Sequence, residues 1–216
     1  GGYFTFDQTL APHELMRSFT FDMTLSTGDT YSETISVADV AASALDRGAD
    51  RALVLSYLDY LRHASVFFSV NGRYGEPDAA VAEKVEELLK GYETPAWTPA
   101  DAVAPVKGNV VAASLDLAAN PGFVFYLSDS FEGNVTVTLG ERTETYTVSH
   151  ADGEDTGTRI VFRVGDLAAM RGTLTVRTGD TVTEYSLDAY IRAMSRGGET
   201  PAYLAALAAW CDAAGK

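Results

Sequence analysis

A chain of 216 residues, 46% of them hydrophobic, is longer than an average domain and can fill one large core or two small ones. Sixteen Lys and Arg against thirty Asp and Glu leave a formal charge of -14, which repels phosphate backbones and anionic lipid and argues against nucleic acid as a partner. A single cysteine rules out an internal disulfide, and no apolar run approaches the roughly 18 residues of a membrane span, so membrane insertion is not expected.

In chain order, the opening GGYFTFDQ lacks the basic flank and apolar stretch of a signal peptide, so any export or anchoring signal is expected outside these residues. Alternating apolar and polar residues predict strands near 3–6, 19–25 and 30–35. The last runs into ISVADVAASALDRG (35–48), where Val37, Val40, Ala41 and Ala44 recur at i, i+3, i+4 and i+7, one face of a helix. Ser36 stands where an N-cap is needed, and Gly48 where the helix must stop. A second helix carries Leu53, Val54, Tyr57, Tyr60 and Ala64, and a third, DAAVAEKVEELLKG (78–91), carries Val81, Val85, Leu88 and Leu89. Residues 92–108, with Pro95, Pro99 and Pro105, read as a linker.

Beyond the linker, strands are predicted near 110–117, 123–127, 134–139, 143–149, 158–164, 172–177 and 181–185, separated by AANPG, SFEGN, LGER and ADGEDTG. Seven short strands at this spacing predict an antiparallel sandwich of immunoglobulin-like type. The chain then repeats itself. YSLDAYIRAMSRGG (185–198) matches the earlier helix at a shift of 150, pairing Val37 with Leu187, Val40 with Tyr190, Ala41 with Ile191 and Ala44 with Met194. Ser186 and Gly198 fall at the cap and stop positions. The same shift pairs Leu53 with Tyr203, Val54 with Leu204, Tyr57 with Leu207, Tyr60 with Trp210 and Ala64 with Ala214, so the repeated object is a helical hairpin.

Upstream, GYFTFDQTLAPHELMRS (2–18) parallels GTRIVFRVGDLAAMRG (157–172), and STGDT (26–30) parallels RTGDT (177–181). The first copy thus starts where the second has its fifth strand. The expected organisation is α+β: a truncated first copy over 1–91, the linker over 92–108, and a complete seven-stranded sandwich with its docked hairpin over 109–216.

A strand ending in IS or YS, a helix opening on Ser36, Val37 and Asp39 or on Ser186, Leu187 and Tyr190, and a second helix ending in Tyr60, Ala64, Phe67 and Phe68 together resemble a known repeat. It is the tandem sandwich-plus-helical-hairpin module of secreted, wall-attached surface proteins of gut Firmicutes. In the second copy Trp210 replaces the tyrosine, Ala213 and Ala214 match, and Gly215 departs from the pattern. The resemblance covers mainly 30–68 and 158–216. It implies an extracellular location on the bacterial cell surface and a shared architecture, and it carries no catalytic residue across.

Candidate chemistry is sparse. His13, His63 and His150 have no zinc spacing. Cys211 aligns with Leu61 and is expected in the core, away from the electropositive, accessible setting of a nucleophile. Asp152, Glu154 and Asp155 form a weak calcium candidate without the twelve-residue loop that calcium favours, so a solvated turn is the expected reading, as for SDSFEGN (128–134). Glu86 and Glu87 point apart on their helix and make no glycosidase pair; no G-x-S-x-G occurs. Tyr60 and Trp210 are expected to be buried against their own strands. The candidates for carbohydrate contact are Tyr92 and Trp97, rings in the linker with no periodicity to bury them.

The expected function is a non-enzymatic structural or adhesion module of a bacterial cell-surface protein, without cofactor. The alternative is a carbohydrate-binding module, accessory to a secreted hydrolase, centred on Tyr92 and Trp97. With four strands missing, Phe4, Phe6, Phe19, Phe21, Met23 and Leu25 lose their opposing sheet. The helix at 78–90 is expected to pack against the first hairpin or sheet, and the sheet edge within 3–35 is expected to recruit a strand from a protein partner or a second copy. A glycan is the other candidate partner.

Overall fold

A computed structural model of the chain describes residues 14–70, 76–97, 108–117, 120–149, 158–195 and 200–216. The strand expected at 3–6, with Phe4 and Phe6, lies outside them. The described elements are β1 (Ser18–Thr24), β2 (Thr30–Ser36), α1 (Val37–Asp46), α2 (Arg51–Val70), α3 (Ala79–Leu88), β3 (Val110–Asp116), β4 (Gly122–Leu127), β5 (Gly133–Leu139), β6 (Arg142–Val148), β7 (Arg159–Arg163), β8 (Leu174–Thr178), β9 (Thr181–Tyr185), α4 (Leu187–Met194) and α5 (Ala202–Ala214). The fold is α+β, with antiparallel sheets of two, three and four strands. Where the sequence suggests a break at the linker, proximity groups residues 1–95 with 202–210 in one compact unit, and 96–201 with 211–216 in another.

In the first unit β1 and β2 pair from Ser18↔Ser36 to Thr24↔Thr30. The register gathers Phe19, Phe21 and Met23 with Ile35, Glu33 and Tyr31 on one face. Serines, threonines and Asp22 fill the other, where Thr20 and Thr34 share a hydroxyl contact of 2.9 Å. The apolar face is only partly covered: Phe21 is 39% and Tyr31 56% exposed. At the end of β2 the Ser36 hydroxyl accepts from the Asp39 amide while the Asp39 carboxylate accepts from the Ser36 amide, a capping box that starts α1. Gly48 stops it at φ 84°, with Gly48 N–H on Leu45 O and Ala49 N–H on Ala44 O.

The buried face of α1 is rotated from the expected stripe. Ala38 and Ala41 are buried, while Val40 is 50% exposed. The physical reason is close approach: α1 packs against both α2 and α3, and alanine lets helix backbones come together where valine would hold them apart. As expected, α3 packs on the hairpin, burying Val81, Val85 and Leu89. Asp78, just before α3, turns its carboxylate to the Ser18 amide at 2.7 Å and donates its own N–H to Met16 O.

The same unit contains the first nine residues of α5. Trp210 lies 5.4 Å from Tyr60 in a stacked pair and 4.7 Å from Tyr57, while Tyr203 meets Phe67 at 4.4 Å. This corrects the expected burial of Trp210 against its own strands: the half-buried ring lies on α2, stacked on Tyr60, its own repeat equivalent. The cause is the composition of α5, AYLAALAAWCDAA, which is apolar nearly all round and can bury more than one face.

In the second unit the sheets run β3-β4-β7 and β6-β5-β8-β9. All seven strands lie within two residues of the expected positions, because alternation with turn residues between is a strong local signal. Phe123, Phe125, Leu127 and Phe162 of the smaller sheet and Val135, Val137, Leu174 and Val176 of the larger are buried. Tyr185 on β9 meets Phe123 and Phe125 of β4 edge-on at 5.8 and 5.6 Å, so the inner faces of the two sheets share one core.

Candidate functional site

Each unit buries one carboxylate on a helix. Asp59, on α2, is fully buried. It accepts from Thr94 Oγ1 at 2.6 Å, contacts Arg62, and faces His63 Nε2 at 3.4 Å. Arg62 also reaches Glu86 on α3 at 3.2 Å. Burial by itself raises the Asp59 pKa, but the hydrogen bonds from His63 and Thr94 and the Arg62 charge outweigh it and hold the carboxyl below its ordinary range. Tyr92, half-buried beside this cluster, has its phenol pushed up by burial and by the Asp59 charge. The cluster ties residues 92–95 to α2; it contains no nucleophile placed against His63.

In the second unit Asp188, in the first turn of α4, accepts from Trp97 Nε1 at 3.0 Å and contacts Arg171, which also pairs with Asp212 at 2.7 Å. Trp97 is half-buried and its only hydrogen-bond donor is committed to Asp188. The two linker rings singled out for carbohydrate contact therefore belong to different units, Tyr92 to the first and Trp97 to the second.

Cys211 is fully buried, and burial pushes its thiol up to about 12. His63 is occupied in the Asp59 cluster. His13, His150 and the calcium candidates Asp152, Glu154 and Asp155 lie outside the described residues. Among the described residues no group of three His, Cys, Asp or Glu side chains could hold a metal ion. Nor is any helix among them long and apolar enough to cross a membrane.

SDSFEGN does more than turn the chain. Ser128 and Ser130 share a hydroxyl contact of 2.9 Å, and the Phe131 amide donates to Ser128 O at 2.9 Å. The turn thereby delivers Phe131 and Glu132 to the rim of a notch of about 260 Å³, lined also by Gly133, Asn134, Thr136, Arg177 and Gly179. Sequence reasoning passed over Arg177, whose only local signal is a lone basic residue before the turn TGD. Compared with protein family models, with curated proteins and with solved structures, the chain has no match.

Proposed function

We propose that the chain is a non-enzymatic structural and adhesive module of a bacterial cell-surface protein. The observation that carries this reading is that the repeated residues serve packing. Ser36 and Ser186 cap helices, Tyr60 and Trp210 stack on one another, and Leu61 and Cys211 are buried. Asp59 and Asp188, the acids best placed for chemistry by their burial, hold chain segments together. We read the seven strands, three and four to a sheet, as an immunoglobulin-like sandwich whose fourth strand has joined the second sheet, an architecture frequent in cell-surface domains. The first unit is then a truncated copy of the same module, and its sheet edge within residues 3–35 accepts a strand from a protein partner or a second copy. Antibody raised against the chain should label intact producing cells, and beads coated with the chain should adhere to surfaces on which uncoated beads do not. Label appearing only after lysis would overturn the surface reading, and beads that fail to adhere would overturn the adhesive one.

A further inference from the structure

We propose that the notch between β5 and the β8–β9 turn is a binding site for a single sugar ring bearing a carboxylate. The site goes beyond the structural reading above and does not depend on it. Its shape follows from register. Val135 pairs with Thr178 and Thr136 with Arg177, so Asn134 comes opposite Gly179 on the outer face of the four-stranded sheet. Gly179 holds φ +59° in the tight turn to β9, and a Cβ there would meet nothing within 4 Å. Three of the four positions in this patch carry polar side chains; the fourth is open, and the space it leaves is the notch.

The lining is chemically selective. Arg177 is exposed and, among the described residues, makes no ion pair, although the chain carries fourteen more negative charges than positive ones. Its guanidinium can take a carboxylate in a forked pair. Asn134 Oδ1 already accepts the Thr147 hydroxyl at 3.1 Å, which leaves its amide N–H groups to donate. Thr136 brings a hydroxyl, shared with Thr145 at 3.3 Å, that can donate or accept. Glu132, exposed at the rim, supplies an acceptor for sugar hydroxyls, while Phe131 and Gly133 give an apolar wall. A guanidinium, an amide, a hydroxyl and a carboxylate around an apolar wall suit a ring that carries one carboxylate and several hydroxyls. At about 260 Å³ the notch falls below the roughly 300–1,000 Å³ of sites for drug-sized ligands, so it admits one ring and not an oligosaccharide.

The test is amide chemical-shift mapping of the whole chain during titration with glucuronate, N-acetylneuraminate, glucose and acetate at constant ionic strength. One or both sugar acids should bind saturably at millimolar concentration and move the Gly133, Asn134 and Gly179 amides, and the tighter of the two identifies the source. Glucose and acetate should bind at least about tenfold more weakly, since each keeps only half of the recognition. Arg177→Gln, an exposed substitution whose spectrum reports its own folding, should weaken the acid about tenfold or more, whereas Arg159→Gln on β7 should not. Failure of both acids to saturate in the tens of millimolar would overturn the site. So would glucose or acetate matching them, or an undiminished response in Arg177→Gln.

Discussion

Helices α1 and α4 open on equivalent serines, but the acidic residue that follows stands one place apart: S-V-A-D in the first, S-L-D-A in the second. At the third position Asp39 folds back on Ser36 and completes a capping box, and its outer oxygen meets Lys84 at 2.8 Å. At the second position Asp188 cannot reach back. Ser186 still caps the Ala189 amide at 3.1 Å, but the carboxylate points away from its own helix to Trp97, 91 residues earlier, and to Arg171. One residue of offset thus turns a local cap into a long-range tie. Both helices keep the serine cap, and each places its acid differently.

The strongest test of equivalence uses positions 61 and 211, both fully buried. The Cys211 thiol, pushed up to about 12 from an ordinary 9.0, has on the order of a thousandfold less thiolate than a free one. Labelling by a thiol reagent in native buffer should be slower than in denaturant by at least that factor. A native rate near the denatured one would break the pairing of Cys211 with Leu61.

Positions 60 and 210 come next, because here the two equivalent rings touch. Tyr60→Ala should cost about 3–5 kcal/mol, the usual loss for a large buried aromatic, and Trp210→Ala less, since that ring is half-buried. The two losses should not add. A double-mutant cycle should return about 0.5–1.5 kcal/mol of coupling from the stacked pair. Additive losses would mean that each ring serves its own copy, as the sequence alone suggested.

That correction marks the limit of what could be read beforehand. Strands β3 to β9 and helix α3 were legible because period and turn residues are local properties, and the α1 cap was legible because Ser36 stands directly before the apolar run; the answering role of Asp39 was not read. Partners across the fold were not. A period of two assigns Val135 and Ile160 to an inner face without saying that β4 pairs with β7 and β5 with β8. Likewise an all-apolar α5 does not say which helix it lies on. Trp97 drew notice as a linker ring, but its partner Asp188 is reached only through the folded chain. The notch at Arg177 was invisible because it is made by a missing side chain at Gly179 and by register.

Asp188 and Asp39 can be compared directly. Asp188→Ala removes a nearly buried carboxylate from Trp97 and Arg171; with Asp212 still pairing Arg171, the loss should be about 2–3 kcal/mol, below the full cost of breaking a buried ion pair. Asp39→Ala should cost about 0.5–1 kcal/mol, since it keeps the Ser36 cap and removes only the reciprocal half of the capping box and an exposed ion pair. Thermal or urea melts of the two variants would reverse the comparison if Asp39 proved the costlier loss.

The smallest expected effect is the pH dependence of the Asp39 contribution. Hydrogen bonds from Lys84 and then from Ser36 hold the Asp39 pKa near 2, down from an ordinary 3.8. A carboxyl whose folded pKa is depressed binds protons more readily in the unfolded chain, so its stabilisation is complete above the unfolded value and fades as pH falls through the folded one. The window is therefore about pH 4 down to about pH 2. Both partners of the ion pair are largely in solvent, with side chains 58% and 42% exposed, so screening keeps the contribution small and salt-sensitive. In Asp39→Asn the amide cannot ionise. The melting temperature of the parent should exceed that of the variant at about pH 6, and the gap should close by about pH 2. Added salt should narrow the gap at the higher pH by weakening Lys84 while leaving the Ser36 part of the cap. A gap that stayed constant across this range would show that Asp39 acts through packing alone, and the contrast with Asp188 would then rest on position and not on charge.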